Sequence, residues 1–151
     1  MPYSTQNGAT DGDIAPGRIS VDQLKQLTSE DGLTVVQKVV DDAIADADAD
    51  VDSYCGRRYT VPFNPVPGKV KSLSADLAVY NLFEKRAMQT GGEVPPAYRK
   101  TYEDAISFLK DVANGKAVID GAVVPPENPK RTGGSFNAND RVFSKDSLDK
   151  L

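Results

Sequence analysis

The stretch DDAIADADADVDSYCGRRY, Asp41 to Tyr59, places six aspartates in its first twelve positions with no base among them. It reads either as a cation site or as the wet side of a helix, and the choice decides the fold. The apolar residues settle it: Val36, Val40, Ile44, Ala47, Val51 and Tyr54 recur at steps of four, four, three, four and three. That spacing is the seam of an amphipathic helix. Winding the chain at about 100° per residue sets Asp41, Asp42, Asp46, Asp48 and Asp52 well away from the seam, with Asp50 nearest its border. Gly56, directly after the last apolar residue, predicts the C-cap.

Calcium is the sharp alternative, because alternate aspartates open an EF-hand loop. The register excludes it. Counted from Asp46, the glycine required at position six is Val51 and the glutamate at position twelve is Arg57. Counted from Asp48, the same places hold Ser53 and Tyr59. Alternate residues also point to different sides of a helix, so these carboxylates do not converge on one ion.

Upstream of this helix, Ser20 and Gln23 form a capping box ahead of Val21, Leu24 and Leu27, which predicts one short helix. Residues 1–19 are rich in Gly, Asp, Thr and Pro and lack apolar periodicity, so they read as a flexible N-terminal arm. Downstream, YTVPFNPVPG (Tyr59 to Gly68) carries three prolines and reads as an extended loop. From Lys69 to Met88 there are two apolar stripes, Val70, Leu73, Leu77 and Tyr80, then Ala75, Ala78, Val79 and Leu82. A helix apolar on two sides is expected at the centre of the fold. TGGEVPP interrupts the chain, and Pro95 or Pro96 suits the first turn of a last long helix carrying Tyr98, Tyr102, Ala105, Ile106, Leu109 and Val112. Asn114-Gly115 stops it. Around Asp120-Gly121, AVI and AVV (Ala117 to Val124) give the signal of a type I′ β-hairpin. The remainder is polar until RVFSKDSLDKL, where Val142, Phe143 and Leu148 return apolar side chains. A hydrophobic cluster on a polar tether predicts a docking segment, the alternative being that Phe143 folds back onto its own domain.

Chemistry is bounded by what is missing. The 151 residues include no histidine, no tryptophan and one cysteine, Cys55. Ser-His-Asp and Cys-His machinery is therefore excluded, as are a thiolate zinc cluster and an internal disulfide. TGGE and TGGS lack the frame of a phosphate loop. Asp76, Glu84, Glu103 and Asp104 read as surface or paired charge rather than an acid-base pair, and Arg57-Arg58 as a helix-end pair suited to the C-terminal dipole. No metal, cofactor or catalytic residue is expected. No run reaches the length of a membrane span and the N-terminus has no secretory-signal pattern, so a soluble protein made in the cytoplasm is expected. Net charge is −4, and outside the aspartates of residues 41–52 the chain sums to +2. One acidic stripe dominates the electrostatics, which argues against a domain that grips nucleic acid.

With these elements in order, the sequence resembles the small Mu-like head-tail connector (head-completion, or adaptor) proteins of tailed bacteriophages. The resemblance rests on LKQLT (Leu24 to Thr28), DAIADADADVDSYCGRRYTVPF (Asp42 to Phe63), ADLAVYNLF (Ala75 to Phe83), YEDAISFLKDVANGKAV (Tyr102 to Val118) and RVFSKDSL (Arg141 to Leu148). It implies a non-enzymatic protein of the virion neck that forms a ring with itself, commonly of twelve copies, beneath the portal protein. The ring continues the DNA channel toward a stopper or tail-completion protein, and DNA passes without specific binding. It further implies that Asp52, Ser53, Tyr54, Arg58, Tyr59 and Pro62 belong to a helix-loop junction, and Arg141, Phe143 and Ser144 to the tail. The N-terminal arm is longer than that pattern suggests, and Cys55 stands where an aliphatic residue would be unsurprising.

The sequence therefore predicts a mainly α fold: one short and three long helices, a small C-terminal β-hairpin, and extended arms at both ends. Residues 1–19 form the arm, 20–125 the helical adaptor domain, and 126–151 a docking tail. Arg141, Val142, Phe143, Ser144 and Leu148 are the expected contacts with the portal or a neighbouring copy. Tyr59, Pro62, Phe63 and Pro65 are expected in an inter-ring loop. Asp41, Asp42, Asp46, Asp48 and Asp52 are expected to face the channel, where they would repel phosphates, or the outer solvent. The competing expectation is an acidic protein-binding module, monomeric or dimeric, that mimics DNA toward a basic partner.

Overall fold

The computed structural model describes residues 1–8 and 10–125. Four helices carry it: α1 (Val21–Thr28), α2 (Gln37–Cys55), α3 (Gly68–Thr90) and α4 (Pro96–Ala113). A two-stranded antiparallel sheet, β1 (Gln6–Asn7) with β2 (Asp11–Gly12), completes a mainly α fold. The helix boundaries follow local chemistry. Ser20 Oγ accepts from the Gln23 amide and Gln23 Oε1 accepts from the Ser20 amide, both at 3.1 Å, which closes the capping box of α1. Pro96 opens α4, where its missing N–H costs nothing. Gly91 ends α3 at φ 70°, a conformation that residues with a Cβ rarely adopt.

Packing follows the two periodicities. The seam of α2 buries Val40, Ile44, Ala47 and Val51, with Ala43 and Cys55 beside them. On α3 the buried set runs from Val70 to Leu82 and spreads over roughly 240° of the circumference at the usual helical turn. This helix is covered by α2, α4 and α1 together. Across α3 and α4, Tyr80 stacks on Tyr102 with centroids 4.0 Å apart, and Phe83 on Tyr98 at 4.4 Å. Leu109 and Val112 of α4 are fully buried.

The N-terminal segment, expected from its composition as a flexible arm, is extended and packs against the helices. Tyr3, Ile14, Ala15 and Ile19 are buried in the same core as the helices. Its backbone is served by polar side chains instead of a regular ladder. Gln6 Oε1 accepts from the Ile14 and Ala15 amides at 3.1 and 2.9 Å, while Gln6 Nε2 reaches the Ala15 carbonyl at 3.2 Å. Gln37 on α2 brackets the sheet, accepting from the Gly8 amide at 3.0 Å and donating to the Gln6 carbonyl at 2.6 Å. Arg18 donates through Nε to Asp76 on α3 at 2.5 Å and through Nη1 to the Asp13 carbonyl at 2.6 Å. Periodicity is blind to such a segment, because its burial is specified by four apolar residues and by side-chain bonds that have no repeat.

The C-terminal hairpin expected over Ala117 to Val124 is absent, and the only strands among the described residues are those at the N-terminus. The turn itself forms, with the Ala122 amide donating to the Ile119 carbonyl at 3.3 Å. Gly121 has φ 76°, yet among the described residues none other than glycine has positive φ, so Asp120 does not take the conformation that a type I′ turn requires. The arms bond elsewhere: the Ile119 amide donates to the Tyr59 hydroxyl and the Thr60 amide to the Val123 carbonyl, each at 3.0 Å. The segment is stitched to the loop before α3 rather than to itself.

The packed N-terminus has a direct test. Tyr3→Phe keeps the ring but strips the partner from the buried Phe63 amide and from Asp52, and should lower unfolding free energy by about 1–3 kcal/mol in urea denaturation. An unchanged midpoint would mean that the segment is an arm after all.

Candidate interaction surface

Tyr3 is the centre of the polar structure around α2. Its hydroxyl accepts from the Phe63 amide at 3.0 Å and donates to Asp52, and its own amide donates to Asp48 at 2.8 Å. Asp48 also accepts from Ser74 on α3 at 2.5 Å, and Ser74 contacts Ser4 at 2.8 Å. Burial, countered by these donors, holds the Asp48 carboxyl above the usual range. Burial and the bond to Asp52 raise the Tyr3 hydroxyl as well. Asp48 and Asp52 are thus internal ties, both half-buried, and not members of a free acidic stripe. Both lie off the α2 seam, as helical winding predicts, and their cover comes from the N-terminal segment, which carries no periodic signal.

The other aspartates stand differently. Asp41, Asp42 and Asp46 are exposed, as expected, while Asp50 is half-buried. Gln37 donates to Asp41 at 2.8 Å and Lys38 pairs with Asp42 at 3.0 Å. Asp42, Asp46 and Asp50, one turn apart, line a groove of about 530 Å³ between α2 and α3, with Glu84, Lys85 and Met88 on the far wall. Burial and the charge of Asp46 raise the Asp50 carboxyl. Asn81 closes the floor by donating to the Ala43 carbonyl at 3.3 Å. Among the described residues, no cluster of three or more acidic or cysteine side chains has the arrangement of a metal site.

The loop before α3 is only partly a surface. Tyr59 and Phe63 are core residues, 3 % and 5 % exposed, and Tyr3 and Phe63 pack with centroids 5.6 Å apart. Pro62 and Pro65 face solvent. Two of the four residues expected in the inter-ring loop are therefore buried within this chain, their aromatic rings packed into its core. Arg57 and Arg58 are exposed, with the Arg58 guanidinium lying over Gly115. Of the carboxylates weighed as catalytic, Asp76 pairs with Arg18, Asp104 with Lys100 at 3.4 Å, and Glu84 accepts weakly from Tyr80. They do not converge. Arg141, Val142, Phe143, Ser144 and Leu148 lie outside the described residues. Large apolar side chains are exposed at Leu33, Met88, Val118, Val123 and Val124. Among the described residues, no helix is long and apolar enough to cross a membrane.

Fold and surfaces together define a small helical-bundle protein whose polar side chains mainly tie chain segments to one another. The chain belongs to the Bacteriophage Mu Gp36 family, whose model matches residues 9–138. It is similar to the Mu-like prophage FluMu protein gp36 of Haemophilus influenzae strain Rd, with 37 % identity over 76 residues. That similarity covers 50 % of this chain and 49 % of the relative, so it spans about half the length of each. This is a protein of Mu-like bacteriophages.

Cys55, unusual by resemblance, is fully buried at the end of the α2 seam. Burial, aided by the charge of Asp52, pushes its thiol from 9.0 up to about 11. Between these values the thiol ionises in the unfolded chain but not in the folded one. Its contribution is intact below pH 9 and is lost as pH rises toward 11, a change on the order of 2 kcal/mol. Chemical denaturation across this range should show a steeper alkaline loss for the native chain than for Cys55→Val. Identical pH profiles for the two proteins would contradict the buried, neutral thiol.

Proposed function

We propose that this protein is a structural head-tail connector that forms a ring beneath the portal, links the head to a stopper or tail-completion protein, and acts in the virion neck without catalysing a reaction. Membership of the Mu Gp36 family carries this reading, since it points to a structural or morphogenetic phage protein and the match runs through the helices into residues beyond 125. The use of the interior polar groups supports it. Tyr3, Gln6, Arg18, Asp48 and Asp52 are spent on holding the chain together, a structural use of polar side chains.

In this reading the tail from about residue 127 docks on the portal or a neighbouring copy, with Phe143 as apolar anchor and Arg141 as polar contact. Of the four loop residues expected at the next ring, Pro62 and Pro65 are exposed and make that contact. DNA passes through without being held, in keeping with the net charge of −4. We place the acidic stripe outside the lumen, because Asp48 and Asp52 are covered and Asp50 faces α3 instead of open solvent. The acidic-module reading keeps one point in its favour, the carboxylate-lined groove between α2 and α3.

Electron microscopy and light scattering of the protein, alone and mixed with the portal protein of the same phage, test the proposal. A ring on the portal is expected. Deleting residues 139–151 should abolish portal binding while the helical circular dichroism signal persists. Monomers that ignore the portal would reject the connector reading, and retained binding by the truncated chain would reject the tail's docking role.

A further inference from the structure

The acidic groove is the one surface of the described chain whose chemistry specifies an occupant. Four carboxylates, Asp42, Asp46, Asp50 and Glu84, line it against a single cation, Lys85. Lys38 pairs with Asp42, and no ion pair among the described residues engages Asp46, Asp50 or Glu84. The groove is not uniformly polar. Met88, 78 % exposed, and Ala49 add apolar surface, and a methionine adapts readily to an aromatic partner. Such a surface suits a segment that brings positive charge on both sides of an aromatic side chain.

The chain carries that segment. In RVFSKDSL, Arg141 and Lys145 flank Val142 and Phe143, and with Asp146 the segment carries a net charge of +1. We propose that the groove between α2 and α3 receives the Arg141–Leu148 segment of a neighbouring copy, with Phe143 against Met88 and Arg141 and Lys145 on Asp46, Asp50 and Glu84. The geometry of the chain permits it. Val123 is tied to Thr60, just past the C-terminal end of α2, while Asp42 and Asp46 lie in the first half of that helix. Fifteen residues, 126–140, span at most about 50 Å, against about 28 Å for the whole of α2. The contact would repeat around a ring, so a modest pairwise affinity gains from closure. The inference deepens the ring reading and rests on it.

The test is a crosslink between full-length chains. Met88→Cys and Ser144→Cys variants are mixed, assembled on the portal, oxidised mildly and weighed by mass spectrometry. A mixed dimer joined through positions 88 and 144 is expected. Its yield should fall about tenfold when Asp46→Lys and Asp50→Lys are added to the first partner, and recover when Arg141→Glu and Lys145→Glu are added to the second. Circular dichroism verifies folding, and Asp46→Asn with Asp50→Asn gives a milder version if the reversed charges unfold the helix. Absence of the mixed dimer, or a yield indifferent to charge, overturns the contact. So does a chain carrying both cysteines that links only within itself. A wild-type ring on the portal alongside any of these outcomes leaves the connector reading standing. A wild-type chain that never assembles removes both.

Discussion

α3 is apolar around most of its circumference, and a helix of that kind has to be covered on every apolar side. The rest of the molecule can be understood as the means of covering it. One side takes α2, with its continuous aliphatic seam; another takes α4, through two aromatic stacks; α1 closes a third. Three helices do not complete the enclosure, and the N-terminal segment fills the remaining angle between α2 and α3, where Ser4 meets Ser74. Each covering element is long only where its own apolar face extends. The central helix, at 23 residues, is the longest.

Segments without a repeating pattern are held by a different physics. Two tyrosine hydroxyls do equivalent jobs at the same end of the bundle: Tyr3 takes the Phe63 amide and Tyr59 takes the Ile119 amide. Each satisfies a buried backbone donor that no ladder reaches, while its ring fills core volume. The loop from Tyr59 to Gly68 is thereby fixed between the two ends of the described chain. Among the described residues, every buried side-chain nitrogen and oxygen has a partner, so the fold reaches satisfaction without regular structure in these segments.

The aspartates of α2 show how one run of like charge is divided by its neighbours. Asp48 and Asp52 meet hydroxyl and amide donors and become ties. Asp42, Asp46 and Asp50, on the other flank, meet Glu84, with Lys85 in the same groove and Lys38 paired to Asp42 as the nearby positive charges. Crowding carboxylates in this way disfavours the isolated chain slightly, and a basic partner relieves it.

By itself, the sequence determined the helices and their order. Val40, Ile44, Ala47 and Val51 at helical spacing, the Ser20–Gln23 capping box, Pro96 and Asn114-Gly115 all encode local geometry within a few residues, and the structure matches each. It also determined the central place of α3, because two apolar stripes on one helix leave no other position. Tertiary structure alone decided the fate of Tyr3, Tyr59, Phe63, Asp48 and Asp52. Their partners lie 26 to 60 residues away, and a spacing rule carries no information about such distances. It likewise decided that Asp120-Gly121 makes a turn but no hairpin, since the loop at Tyr59 and Thr60 offered the arms better partners than each other. The acidic groove belongs to the same class: α2 supplied the charge, and only packing against α3 placed Glu84 and Met88 opposite it.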